Sequence, residues 1–242
     1  MGLGSPGVGV VAYIMKDSLA FNDEIESHDI YGRYYSGVFG SMLLKSEPLK
    51  FAEHRKAQFD GMDRLLHLSD GRIVSVEEKT DKGQKCIQCP KRFDDKECPT
   101  CHNVRYNDTI FLELRQKNKQ GNIIPGCFIK SLADVWVYTR PTGLVTSFPI
   151  RKFREQIWTK MEKEWRATYR EHQIINEQNF VAYGIGVPSK IIHEKILELE
   201  RNDICDMINR NPLPKNLYEE LDIISAKHKQ DEYSKQMAHQ YE

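Results

Sequence analysis

Three residues in one short stretch offer the first chemistry: Asp63, Glu77 and Lys79. They lie in Gln58-Phe-Asp-Gly-Met-Asp-Arg-Leu-Leu and Asp70-Gly-Arg-Ile-Val-Ser-Val-Glu-Glu-Lys-Thr80. In a β-strand, side chains two apart share a face, so Glu77 and Lys79 point one way and Glu78 the other. Asp-Gly between two apolar runs is a strong hairpin signal. It places Asp63 on the preceding strand, able to approach Glu77 where the hairpin opens. Two carboxylates hold a hard divalent cation such as Mg²⁺ or Mn²⁺. Such a cation polarises a phosphoryl oxygen and lowers the pKa of a bound water. Lys79 would orient that water and offset charge developing on the phosphate. The plain alternative is a solvated strand face carrying a weak Glu–Lys ion pair. Asp94-Asp95-Lys96 repeats the pattern in a hydrophilic loop and is set aside.

A second constellation is Cys86-Ile-Gln-Cys89, eight residues, then Cys98-Pro-Thr-Cys101. Two Cys-x-x-Cys turns so spaced complete a tetrahedron of thiolates around zinc. A closed four-thiolate site leaves no position for substrate water, so this zinc is expected to be structural, ordering a polar loop. His102 is a neighbour able to replace one cysteine. Lys91, Arg92, Lys96 and Arg105 could touch a phosphate backbone from this knuckle, although Asp94, Asp95 and Glu97 oppose it. The clustering, with no secretory signal, speaks for a reducing compartment, cytoplasmic or other intracellular. Cys127 and Cys205 read as buried apolar residues.

An Asp on one strand followed by Glu-x-Lys on its hairpin partner resembles the PD-(D/E)XK nuclease superfamily (restriction-endonuclease-like). Gly61-Met62-Asp63 resembles a Gly-x-Asp variant of its first motif, and no Pro precedes Asp63, which departs from the name-giving form. Asp108-Thr-Ile-Phe-Leu-Glu113 is similar to the strand that commonly follows Glu-x-Lys. The resemblance spans roughly residues 17–200, on about twenty positions. It implies a mixed central sheet flanked by helices, with an acid of the first helix, Glu24 or Glu26, as a further catalytic metal ligand. It also implies a nucleic-acid substrate, DNA ahead of RNA, and allows a homodimer.

The elements that must position these groups follow from periodicity. Residues 17–36 predict a helix ended by Gly37 and Gly40, and 47–58 a further short one. Met62–Leu68 and Arg72–Lys79 predict the first hairpin, Asp108–Arg115 a third strand, and Asp134–Thr139 with Leu144–Pro149 a second hairpin. A long helix over 152–169, a strand over 180–187 and a helix from Pro188 to about Asn202 complete an α/β sandwich around one central sheet. This gives a nuclease-like core over 17–210, interrupted by the zinc-knuckle insertion at 84–104, and a polar helical tail over 211–242.

The composition of the 242 residues fits an ordinary globular chain, and 35 basic against 35 acidic residues leave no field to gather a polyanion. That counts against a passive nucleic-acid coat but allows an enzyme with a local basic groove. No apolar run is long enough to cross a membrane. Arg151, Lys152, Arg154, Lys160, Lys163, Arg166 and Arg170 make the 151–170 helix basic, as a DNA-facing stripe or as a solvated face. Trp136, Trp158 and Trp165 read as core, Gly184-Ile-Gly186 as closely packed strand, Gln156 as an accessory polar residue and His28 as a surface histidine. The leading function is a Mg-dependent phosphodiester hydrolase. Its rival is a non-catalytic nucleic-acid- or protein-binding module on the same fold with structural zinc.

Overall fold

The computed structural model describes residues 29–49, 54, 56–57, 60–80, 84–85, 92–93, 109–117, 120–140, 144–175, 181–217 and 219–220. Helix α1 (29–39) opens the described chain. Its buried residues Ile30, Tyr31, Tyr34, Tyr35 and Phe39 fall on one stripe at helical spacing. The helix runs past Gly37 and tightens into a 3-10 turn over Gly40–Met42 before the chain extends into β1 (Leu43–Pro48). That strand takes the first two residues of the short helix expected over 47–58; residues 56–57 are helical, and most of the rest of that stretch lies outside the described residues. β1 lies at a sheet edge, with Leu44 69% exposed, so no apolar alternation marks it in the sequence.

The first hairpin forms as expected: β2 (Arg64–Leu68) pairs antiparallel with β3 (Ile73–Thr80) across the Asp70-Gly71 turn. β8 (Val135–Thr139) then pairs parallel with β3 and antiparallel with β9 (Val145–Phe148). The resulting mixed sheet has the order β1-β2-β3-β8-β9. All five residues of β8 are buried. Val135 and Val137 face α1 and helix α5 (Asp203–Arg210), while Trp136 and Tyr138 face the opposite way. This sheet is therefore a middle layer between two apolar cores, and its central strand is apolar on both sides.

The third expected strand forms as β6 (Thr109–Lys117) but does not join that sheet. It lies in a second, four-stranded sheet of order β10 (Glu171–Ile175), β11 (Val181–Pro188), β6, β7 (Ile123–Pro125). The expected single central sheet is thus two. β4 (Gln84–Lys85) and β5 (Arg92–Phe93) form a separate two-stranded ribbon. Gly184 sits where an added Cβ would lie 2.2 Å from the Leu112 carbonyl oxygen, so the close packing read at Gly184-Ile-Gly186 is a real backbone contact. One turn of helix, α2 (Cys127–Lys130), connects β7 to β8.

The long helix α3 (150–168) covers the second core with Phe153, Ile157, Trp158 and Trp165. Its stretch Arg154–Trp158 is a π-helical turn. The three tryptophans are core residues, as expected: Trp136 stacks on Phe148 and Trp158 meets Phe128 edge-on. After β11, Pro188 caps α4 (Ser189–Ile196), which ends short of the expected Asn202. Asn202 instead caps α5, its side chain accepting from the Cys205 N–H. Leu213 and Leu217, at the start of the expected polar tail, are buried in the first core, and Glu220 pairs with Arg33 of α1.

Candidate active site

Asp63, Glu77 and Lys79 all lie at one end of the first sheet. Asp63 immediately precedes β2, its N–H donating to the Val76 carbonyl at 2.8 Å and its Oδ2 accepting from the Glu78 N–H at 2.7 Å. The carboxylate is thereby fixed against β3 at the position of the Glu-x-Lys motif. Strand alternation puts Glu77 and Lys79 on the face of Trp136 and Tyr138, their register partners on β8. Lys79 Nζ is 2.6 Å from Glu77 Oε1 and lies over the Trp136 ring, 5.8 Å from its centre. The Glu77 side chain is 2% exposed and that of Lys79 33%, so the lysine is the more exposed side chain of the pair.

Gly61 explains how Glu77 fits. Its φ is +69°, and a Cβ there would lie 2.1 Å from Glu77 Oε2. The carboxylate occupies the space a side chain would take. Ser131 Oγ holds the Gly61 carbonyl at 3.0 Å, and the Leu132 N–H holds that of Asp60 at 2.7 Å. The segment after α2 therefore pins the loop that carries Asp63.

The electrostatics show a site short of positive charge. Burial pushes the Asp63 carboxyl up to about 7, and the charges of Glu77 and Glu78 add to the rise against the opposing pull of Lys79. For Lys79, burial acts downward, yet Glu77, Cys127 and Asp63 hold the ammonium well above its ordinary value. Glu77 Oε2 is buried without a hydrogen-bond partner. An orphaned carboxylate oxygen beside a second, reluctantly ionised carboxyl suits a divalent cation, which would satisfy one and ionise the other.

Two residues join this cluster that sequence reasoning did not place there. Glu113 on β6 accepts from the Cys127 N–H and from the Cys127 thiol, each at 3.3 Å. Burial raises the thiol well above its ordinary value, with Glu113 and Glu77 adding to the rise and Lys79 opposing it. Cys127 is therefore more than the buried apolar residue expected. The β6–β11 pairing steps from Tyr183↔Arg115 to Gly184↔Glu113, leaving Leu114 unopposed. Such a bulge re-aims neighbouring side chains, and nothing in a period-two pattern announces it.

Glu78, on the opposite face, is closed off. Its Oε1 accepts from Arg64 Nε at 2.7 Å, with side chains 6% and 1% exposed. Arg64 also donates to Ser46 Oγ at 2.8 Å and lies over the Tyr35 ring.

The basic residues of the long helix are largely engaged. Arg151 pairs with Asp134, Lys152 with Glu200 and Arg166 with Glu162. Arg154 donates inward to the Phe128 and Ile129 carbonyls. Gln156 is exposed on the same helix.

Glu24, Glu26, His28 and the cysteines expected to bind zinc, Cys86, Cys89, Cys98 and Cys101, lie outside the described residues. Among the described residues, no group of three His, Cys, Asp or Glu side chains is disposed to hold a metal ion, and no helix is long and apolar enough to cross a membrane. No protein-family model, curated protein or solved structure matches the chain.

Proposed function

We propose that the chain is a metal-dependent nuclease that hydrolyses nucleic-acid phosphodiesters at Asp63, Glu77 and Lys79. The observation that carries this reading is Glu77: buried, ion-paired to Lys79 through Oε1, and left with Oε2 unpartnered beside the carboxyl of Asp63. Asp63 and Glu77 would hold Mg²⁺ or Mn²⁺, which when bound supplies Lewis-acid polarisation of the phosphate and a water acidic enough to attack near neutral pH. The acid expected from the first helix, Glu24 or Glu26, would add a further ligand. Lys79, released in part from Glu77 once the carboxylate has another cation, presents its charge toward solvent, where the scissile phosphate would lie. The fold supports this reading, since β2 and β3 bring Asp63 against the Glu77-x-Lys79 segment, whose two side chains share the face of Trp136 and Tyr138. The spacing of Cys86, Cys89, Cys98 and Cys101 supports a structural zinc in the intervening segment.

The rival reading is a non-catalytic binding module on a nuclease-like core. It is favoured by the lack of a three-ligand metal group among the described residues. One experiment separates the two. The purified protein is incubated with single- and double-stranded DNA and RNA in Mg²⁺ or Mn²⁺, beside Glu77→Ala and Lys79→Ala. Cleavage by the native protein that both substitutions abolish supports the nuclease. No cleavage of any substrate by folded, zinc-loaded protein rejects it in favour of the binding module.

A further inference from the structure

The first sheet has two outer strands, and their free sides are treated differently. On β9, the Ser147 N–H donates to Asn209 Oδ1 at 2.6 Å, and the Asn209 amide donates back to the Ser147 carbonyl at 3.0 Å. One side chain of α5 thus copies the pairing of a further strand and closes that edge. Among the described residues, nothing does the same for β1, at the other end of the sheet order. The direction of its backbone groups follows from the ladder. The Leu49 N–H donates inward to the Asp63 carbonyl at 2.8 Å, and the register with β2 is unbroken from Lys45↔His67 to Pro48↔Arg64. Antiparallel pairs alternate between bonded and non-bonded, so Lys45 and Glu47 bond inward while Ser46 and Pro48 turn their backbone groups outward. Pro48 has no N–H and stands where the sheet needs none. Ser46 offers both a donor and an acceptor, and Arg64 Nη1 holds its hydroxyl at 2.8 Å from within the fold.

The side chains flanking Ser46 are self-complementary. Lys45 and Glu47 share one face, their charged groups 2.8 Å apart. Turned antiparallel about Ser46, the segment Leu44-Lys45-Ser46-Glu47-Pro48 sets Lys45 opposite Glu47, Glu47 opposite Lys45, and the exposed Leu44 opposite Pro48. We propose that β1 is a homodimer seam, at which a second copy of the chain pairs antiparallel and isologously about Ser46. The two Ser46 residues exchange N–H and carbonyl bonds, each Lys45 meets the second copy's Glu47, and the two five-stranded sheets run on as one. The missing Pro48 N–H keeps the seam short, so association depends on concentration. The competing explanation is that Lys45, Pro48 and the register shift between Leu43 and Lys45 only blunt the edge against pairing. That explanation predicts a monomer, with no interplay between Lys45 and Glu47 across molecules.

Sedimentation equilibrium of the full chain over a range of concentrations tests the seam. The samples are the native protein, Lys45→Glu, Glu47→Lys, an equimolar mixture of those two, and the double exchange of Lys45→Glu with Glu47→Lys. Each single substitution puts like charges into both cross-strand pairs and should weaken dimerisation about tenfold to hundredfold. The mixture should restore association as a heterodimer, because every pair across the seam is then of opposite charge. The double exchange should dimerise as the native protein does. Added salt should weaken the native dimer but hardly that of Lys45→Ala, which reads the same pairs without reversing a charge. Circular dichroism confirms that each variant is folded. A native protein that stays monomeric at every concentration overturns the proposal. So does a dimer indifferent to both single substitutions, or a mixture no more associated than its components. The readout is association alone, so it stands or falls separately from cleavage.

Discussion

β3 carries two acid–cation pairs back to back, and they have been built in opposite ways. On the α1 face, Glu78 and Arg64 are both almost wholly buried, and Arg64 has further partners in Ser46 and the Tyr35 ring. On the Trp136 face, Glu77 is as deeply buried but its cation is one-third exposed and one of its oxygens has no partner. A pair with both groups buried, whose cation has further partners, holds structure together. A pair with an unused oxygen beside a second carboxyl retains the capacity to bind something else. Adjacent residues of like chemistry thus divide into a brace and a candidate site according to what surrounds their spare atoms.

The strongest way to break this comparison is to remove the Arg64 guanidinium. Arg64→Ala strands the buried Glu78 carboxylate and should cost about 3–5 kcal/mol, measured by chemical denaturation. The double variant Arg64→Met with Glu78→Leu should recover most of that loss. On the other face the signs should invert. Glu77→Gln removes one of two crowded carboxylates and should leave stability within about 1 kcal/mol, while metal-dependent cleavage falls by about 10²-fold or more. Glu78→Gln should do the reverse, lowering the thermal midpoint while changing metal-dependent cleavage by the folded protein less.

The pH dependence sharpens the contrast further. Asp63 rises from 3.8 in the unfolded chain to about 7 in the fold, so the folded state binds the extra proton. Its stabilising contribution is complete below the unfolded value and is lost as pH climbs through the folded one. Metal-free native protein should therefore lose stability relative to Asp63→Asn between about pH 4 and about pH 7. A parallel pair of stability curves would remove Asp63 from the electrostatic cluster. The smallest effect expected is from the cation itself. Mg²⁺ at about ten times its dissociation constant should stabilise the native protein by about 1.4 kcal/mol. That shift should vanish in Asp63→Asn and Glu77→Gln.

Much of the site is legible in the sequence because it is local. Alternation fixes the faces of Glu77, Glu78 and Lys79, and the Asp70-Gly71 turn fixes the partner strand that brings up Asp63. The same local logic gave both hairpins and the burial of the three tryptophans. The rest depends on long-range pairing. No pattern within 109–117 says that this strand leaves the Glu-x-Lys sheet to pair with 181–188. The unopposed Leu114, which accompanies Glu113 toward Cys127, is a property of two strands together. Arg64 stood in the quoted motif, yet its role appears only when α1 closes over it. β1 was missed because an edge strand with an exposed Leu44 carries no apolar alternation.

The π-helical turn over Arg154–Trp158 gives the long helix one residue more than its α-helical length would require. Excising a single residue there would restore regular pitch while leaving Ile150–Phe153 and Thr159–Thr168 facing the same neighbours. Anywhere else in the helix, the same deletion would rotate one flank by about 100° and turn Trp165 out of the core. The turn is thus the helix's one seam for length variation, and the contact at stake is the Arg154 guanidinium on the Phe128 and Ile129 carbonyls. A natural variant one residue shorter at this seam would keep the wall of the second core and release the end of α2 from α3.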